Sequence, residues 1–211
     1  MTTEKLKTGT TCIGLVFKDG VLLAADRRVT AGYISSDRST KIYELSKYVL
    51  ATTAGHAADN QLTMRVIKGQ LKLLEFKNER DAKVAEAAMI LNSIQYSALR
   101  SQGSIISLIL GGYDKETGFS LYNLGPDGTN VAHDGYVVDG SGSIFIKGLF
   151  DNEHNSKMSE ADALKLVEKA FLTSFKNDYA SGGGFICKIV TKDGIKEVKR
   201  KIIKTELINE N

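Results

Sequence analysis

Two stretches of this chain are apolar on both faces. Residues 20–25 read GVLLAA and residues 107–112 read SLILGG. Neither alternates apolar with polar, so a sheet built from them has no face to offer to water and needs cover on two sides. Two sheets packed face to face, with helices outside both, meet that demand.

The rest of the chain supplies the parts. TTCIGLVF (10–17), KDG (18–20) and VLLAAD (21–26) form a strand, an Asp19-Gly20 turn and a second strand, the pattern of a hairpin. KIYEL (41–45) and KYVLATTAG (47–55) continue as strands up to Gly55. The segment 56–76 then carries Leu62, Val66, Leu73 and Leu74 at near-helical spacing, and a second helix is expected from about Asp81, with Val84, Ala88, Leu91 and Leu99 on its apolar stripe. A meander follows: SIISLILGGYD, GFSLYNL and NVAHDGYVV, separated by DKETG and by GPDG, which holds the only proline, Pro126. After DGSGS and a short IFIKGLF segment comes a helix from Ser159, where Ser159 and Asp162 have capping-box spacing and Leu164, Val167, Phe171 and Phe175 form the stripe. GGGFICKIVT, the turn KDG and IKEVKRKII close the chain as a second hairpin, the last strand with one solvated face. The expected order is strands, two helices, strands, one helix, strands. No linker divides it, so periodicity alone leads to an α+β sandwich and leaves the layering open.

Composition narrows the function classes. A chain of 211 residues can bury roughly 70% of the surface its unfolded form exposes, enough for one well-formed core. A formal charge of +3 is too small for a nucleic-acid footprint, and no apolar window is long enough to span a bilayer. Neither nucleic acid nor membrane is expected as a partner. Cys12 and Cys187 each sit in an apolar run with no CxxC partner, and read as buried free thiols. The first nine residues, MTTEKLKTG, lack the apolar core of a secretory signal. His56, His133 and His154 have no metal-ligand spacing, and the chain has no Walker loop, no GxGxxG and no GxSxG elbow. No metal and no cofactor is expected.

What remains is Gly9-Thr10. A threonine hydroxyl is a weak nucleophile until a base takes its proton, and the α-amine of the same residue can do so once that residue begins the chain. Cutting between Gly9 and Thr10 would create that amine, and glycine lets the backbone bend for attack on the preceding carbonyl. Gly-Thr-Thr is a common tripeptide, and taken alone it is better read as a polar cap on an ordinary strand.

Several motifs taken together are more specific. From Gly9 to about residue 191 the chain resembles the proteasome β subunits, threonine proteases of the N-terminal nucleophile class. GTTCIG resembles the processing site and first strand, AADRRVTAG the segment carrying the acidic residue, and STKIYEL the segment carrying the active-site lysine. ATTAGHAADNQ, DGSGS and NDYASGGG follow in the family's order.

The resemblance implies a four-layer αββα sandwich. It implies a short propeptide, residues 1–9, ahead of a single catalytic domain, residues 10–211, with processing between Gly9 and Thr10. It places the nucleophile on Thr10, the acid on Asp26 and the lysine on Lys41; Ser141, Asp178 and Ser181 support the threonine amine, and the Gly55 amide forms the oxyanion hole. The substrate pocket falls on Val29, Thr30, Ser39, Tyr43, Thr53 and Ala57. That lining carries no fixed charge and suggests an apolar residue before the cut. The short leader suits an archaeal-type subunit. The expected partners are proteasome α subunits, other β subunits in a heptameric ring, a regulatory ATPase acting through the α ring, and unfolded polypeptide substrates, all in the cytoplasm. The alternative is a β-type subunit without activity, serving as a ring scaffold or as the activator of a second β chain.

Overall fold

The computed structural model describes residues 9–203, so all of the expected leader except Gly9 lies outside the described residues. Twelve strands and four helices follow in the order β1 (Cys12–Phe17), β2 (Gly20–Asp26), β3 (Val29–Thr30), β4 (Ile34–Ser36), β5 (Ile42–Ser46), β6 (Val49–Gly55), α1 (Ala57–Asn78), α2 (Val84–Gln102), β7 (Ile106–Asp114), β8 (Gly118–Leu124), β9 (Asn130–His133), β10 (Tyr136–Asp139), α3 (Ser143–Glu153), α4 (Glu160–Asn177), β11 (Phe185–Thr191) and β12 (Gly194–Lys201). One five-stranded sheet runs β10-β1-β2-β11-β12 and the other β5-β6-β7-β8-β9, with β3 and β4 as a separate small pair.

The expected four layers are present. Val21, Leu23, Leu50, Ile109 and Val190 fill the space between the sheets. Leu15, Leu22 and Ile189 on the other face of the first sheet pack against Phe150 of α3 and Phe171 of α4. Leu108 and Leu110 meet Ile67, Leu71 and Leu91 from α1 and α2. The doubly apolar runs β2 and β7 are the reason both sheets carry helices: each has one face toward the other sheet and one toward a helix pair. Fully burying an aliphatic or aromatic side chain is worth about 1.5–3 kcal/mol, so these three interfaces dominate the favourable side of folding.

Five expectations need correction. Most of the α1 stripe is not its buried face: Leu62, Val66 and Leu73 are exposed and Leu74 alone of the four packs, half-buried, on the core, while Asn60, Thr63, Met64, Ile67 and Leu71 are buried. Apolar residues fall on two sides of this helix, and periodicity could not tell which side meets the sheet. The second helix begins at Val84, because Lys83 is its extended N-cap and donates its backbone N–H to Glu86 Oε2 at 2.9 Å. NVAHDGYVV is two strands: β9 pairs with β8, then the chain crosses to the first sheet, where β10 pairs with β1. IFIKGLF belongs to α3, a helix additional to the three expected. In the closing hairpin a register shift at Cys187/Lys188 breaks the alternation of β12, so Ile195 packs between the sheets and Val198 against α4. Ser159 does cap α4, accepting from the Asp162 amide at 3.2 Å. Among the described residues no helix is long and apolar enough to cross a membrane.

Register gathers one end of each sheet. The start of β1 lies opposite the end of β2 and the end of β10, through the pairs Cys12↔Ala25 and Cys12↔Asp139. Asp26 pairs with Phe185 at the start of β11, and in the second sheet Gly55 pairs with Ile106 at the start of β7. Antiparallel pairing therefore brings residues 10, 26, 139–141 and 181–185, far apart in sequence, to one end of the first sheet, and the packing of the two sheets sets Gly55 on the same cleft as Thr10.

Candidate active site

At that end Thr10, nearly buried, sits under a cleft. Its hydroxyl donates to Gly9 O at 2.6 Å and accepts from Lys41 Nζ at 2.8 Å. Lys41 Nζ also donates to Asp26 Oδ1 at 2.7 Å and approaches Gly9 O at 3.4 Å. The ammonium thus touches the hydroxyl, its counter-ion and the carbonyl of the preceding residue at once. Asp26 is held by more than the lysine. The amides of Thr11, Arg28 and Gly182 donate to its two oxygens at 3.0–3.1 Å. Burial pushes its carboxyl up from the usual carboxylate range, and Lys41 is the chief influence pulling it back.

On the other side of Thr10, its backbone N–H donates to Ser141 Oγ at 3.1 Å. Ser141 and Ser181 both donate to Asp178 Oδ2, at 2.6 and 2.7 Å. Two element junctions position these groups. Ser141 lies in the turn between β10 and α3; Asp178 is the C-cap of α4, its amide returning to Ser174 O at 2.7 Å; Ser181 follows in the loop to β11. Gly55 ends β6 just before α1, at φ 112°, a conformation in which a side chain is strained.

Thr10, Lys41 and Gly55 line one cleft, together with Val29, Thr30, Ser39, Tyr43, Thr53 and Ala57. All six residues expected in the substrate pocket are on its wall. The wall also includes Arg28, so the expectation of a lining without fixed charge needs correction; that guanidinium is engaged by Asp37 Oδ1 at 2.8 Å and by Tyr179 O at 2.9 Å. Burial raises the Tyr43 phenol above its usual range. His56 is turned outward, 3.3 Å from Asp59, and does not line the cleft.

Sequence reasoning missed part of this arrangement. Thr11 Oγ1 meets Ser174 Oγ at 2.6 Å and Ser181 Oγ at 2.7 Å, extending the hydroxyl chain into α4. The available signal was a second polar residue at the head of an apolar strand. Ser174 gave none, being one small residue on a helix.

Gly9 is also packed as a glycine must be. A β carbon there would sit 1.8 Å from Ala180 Cβ. Gly9→Ala is expected to displace the Gly9-Thr10 peptide and, since a misplacement near 1 Å can cost about 100-fold, to slow any cleavage at this bond by about that factor. Intact mass followed over time after expression reads this; a variant processed as fast as the wild type contradicts it.

A family model described as proteasome subunit matches residues 6–190. The chain belongs to the proteasome subunit family. It is similar to β subunits: it is 35% identical to "Proteasome subunit beta 2" of Hyperthermus butylicus, over 94% of this chain and 93% of the relative. It is 34% identical to "Proteasome subunit beta" of Archaeoglobus fulgidus, over 92% and 90%, and 34% identical to that of Archaeoglobus profundus, over 94% and 92%. Proteasome membership and the αββα fold are thus reached independently, one from sequence similarity and one from the sheet and helix layers.

Proposed function

We propose that this proteasome β subunit is a threonine endopeptidase of a 20S core, which exposes its own nucleophile by cutting Gly9-Thr10. The observation that carries the reading is the position of Lys41 Nζ, 2.8 Å from the Thr10 hydroxyl and 2.7 Å from Asp26. Self-processing begins when Thr10 Oγ1 adds to the Gly9 carbonyl carbon. The C–N bond then breaks, the Thr10 nitrogen takes up the hydroxyl proton, and an ester links Gly9 to Oγ1. Water hydrolyses that ester, leaving a leader that ends in a Gly9 carboxylate and a Thr10 with free amine and free hydroxyl. Lys41, 3.4 Å from Gly9 O, is placed to polarise the attacked carbonyl.

Turnover of peptides uses the same atoms. The free α-amine takes the hydroxyl proton while Oγ1 forms a bond to the scissile carbonyl carbon, and the Gly55 amide donates to the resulting oxyanion. The proton passes to the leaving nitrogen, and water then hydrolyses the acyl-enzyme, again through the amine. Lys41 as ammonium makes a second positive charge beside it unfavourable, which keeps the amine in its proton-accepting form. Ser141, held by Asp178, fixes the nitrogen. Arg28 and Lys41 are already paired, with Asp37 and Asp26, and the rest of the pocket wall is hydroxyl, amide and methyl, so a neutral, apolar side chain before the cut is favoured over a charged one.

The subunit would act in a heptameric β ring beneath α rings, receiving unfolded polypeptide through an ATPase docked on them, in the cytoplasm. N-terminal sequencing of the chain recovered from assembled particles tests the reading. A start at Thr10 is expected. A start within residues 1–9 in fully assembled particles sinks it and leaves the scaffold alternative.

A further inference from the structure

Asp139, the last residue of β10, has no part in the chemistry above, yet its carboxyl spans the two sheets. Oδ1 accepts from the Gly140 amide at 2.6 Å, within the turn that carries Ser141. Oδ2 accepts from the hydroxyl of Ser107, which belongs to β7 in the opposite sheet and pairs there with Ala54, the neighbour of Gly55. The turn is packed directly on Thr10. The Gly142 amide donates to Thr10 O at 3.3 Å, Ser141 Oγ is 3.1 Å from Thr10 N, and a β carbon on Gly140 would sit 2.2 Å from Thr10 O. Slack in this turn becomes displacement of Thr10.

Neighbouring charges do not explain the carboxyl. Burial pushes it up from the usual carboxylate range, and what opposes that is hydrogen bonding, from the Gly140 amide and the Ser107 hydroxyl, with no cation. The titratable group facing it is Cys12 on β1, whose own thiol is pushed up by burial first and by Asp139 second. Lys41 and Asp26, which also act on Cys12, are paired with each other. Among the described residues no lysine, arginine or histidine compensates Asp139. Leaving a carboxyl without a cation in such a place is unfavourable, and what it gains is two hydrogen bonds, each leading to one half of the site.

We propose that Asp139 is a positioning residue, which ties the Gly140–Gly142 turn, and through it Ser141 and the Thr10 nitrogen, to β7 beside the Gly55 strand. The inference rests on the reading of Thr10 as nucleophile. It implies that the contacts matter rather than the charge, so an amide in place of the acid serves: in Asp139→Asn the side-chain carbonyl oxygen would accept from the Gly140 amide and the side-chain NH₂ would donate to Ser107.

In assembled, processed particles, Asp139→Ala is expected to lower kcat about tenfold with KM unchanged, Ser107→Ala to act in the same direction, and Asp139→Asn to recover most of the loss, to within about threefold of wild type. Wild-type kcat in both alanine variants, a loss confined to KM, or an asparagine variant as impaired as the alanine one overturns the inference. If Asp139→Ala fails to assemble, Ser107→Ala, which trims a single hydroxyl, decides. Amide exchange of residues 140–142 separates this inference from the reading beneath it, since it needs no turnover. In full-length chain carrying Thr10→Ala, adding Asp139→Ala is expected to speed exchange of the turn about tenfold, and unchanged exchange overturns the tie even if Thr10 proves not to be the nucleophile.

Discussion

Thr10→Ala is expected to leave the fold intact while abolishing both removal of residues 1–9 and peptide hydrolysis. The substitution deletes one hydroxyl and its contacts to Gly9 O and Lys41, but keeps the backbone amide on Ser141 and the Lys41–Asp26 pair. In the proposed function the hydroxyl is the acyl carrier, and loss of a nucleophile of this kind lowers kcat by about 10⁴-fold or more. Thr10→Ser, which keeps an alcohol on the same backbone, should retain activity to within about tenfold of wild type. Fluorogenic peptide hydrolysis and intact mass on assembled particles make the comparison. An alanine variant that loses its leader, or hydrolyses peptide at more than about 1% of the wild-type rate, would falsify the assignment.

Lys41→Met removes the ammonium while keeping a long apolar stem. Activity and processing are expected to fall below detection, because the charge proposed to hold the Thr10 amine neutral and to polarise Gly9 O is gone. Stability should fall too, because the variant leaves Asp26 buried without its cation. Breaking a buried pair costs about 3–5 kcal/mol, and the lower figure applies because three backbone amides still hold the carboxylate. For a chain of this size about 3 kcal/mol corresponds to a fall in Tm of about 6–12 °C.

The pH dependence gives this prediction a sign. Burial already pushes the Asp26 carboxyl up, and Lys41 is the chief group opposing it, so removing Lys41 raises that carboxyl further. An acid whose folded pKa lies above its unfolded one binds more protons in the native state, so its contribution to stability is greatest at acid pH and is lost as pH rises through the folded value. The Tm difference between wild type and Lys41→Met should therefore shrink on acidification. A difference that is constant from about pH 4 to about pH 8, or one that grows on acidification, counts against a charged pair.

Much of the fold was legible in the sequence, for identifiable reasons. GVLLAA and SLILGG required cover on both faces, and the Lys18-Asp19-Gly20 and Lys192-Asp193-Gly194 turns announced their hairpins. Errors arose where a local pattern admitted two tertiary answers. Leu62, Val66 and Leu73 make as regular a stripe as Ile67 and Leu71, but only the second meets the sheet. NVAHDGYVV contains a turn signal in Asp134-Gly135, but a local turn does not say that the chain leaves one sheet for the other there rather than pairing back as a hairpin.

The site divides in the same way. Motif resemblance pointed to Thr10, Asp26, Lys41, Gly55, Ser141, Asp178 and Ser181, each lying in a short run of residue types in a set order. Thr11, Ser174, Ser107 and Asp139 escaped it: each is one polar residue whose partner sits tens of positions or more away, and no local spacing encodes such a pair.

The sequence by itself determined that two of its strands need cover on both faces, because a strand apolar on both sides must be covered on both sides wherever it lies, while periodicity left the layering open. It also determined which residue types are available for chemistry. Only the tertiary structure decided which of them meet. Antiparallel register brings the start of β1, the ends of β2 and β10 and the start of β11 to one edge of the molecule, and that pairing is set by burial across the whole core rather than by any residue's neighbours in the chain.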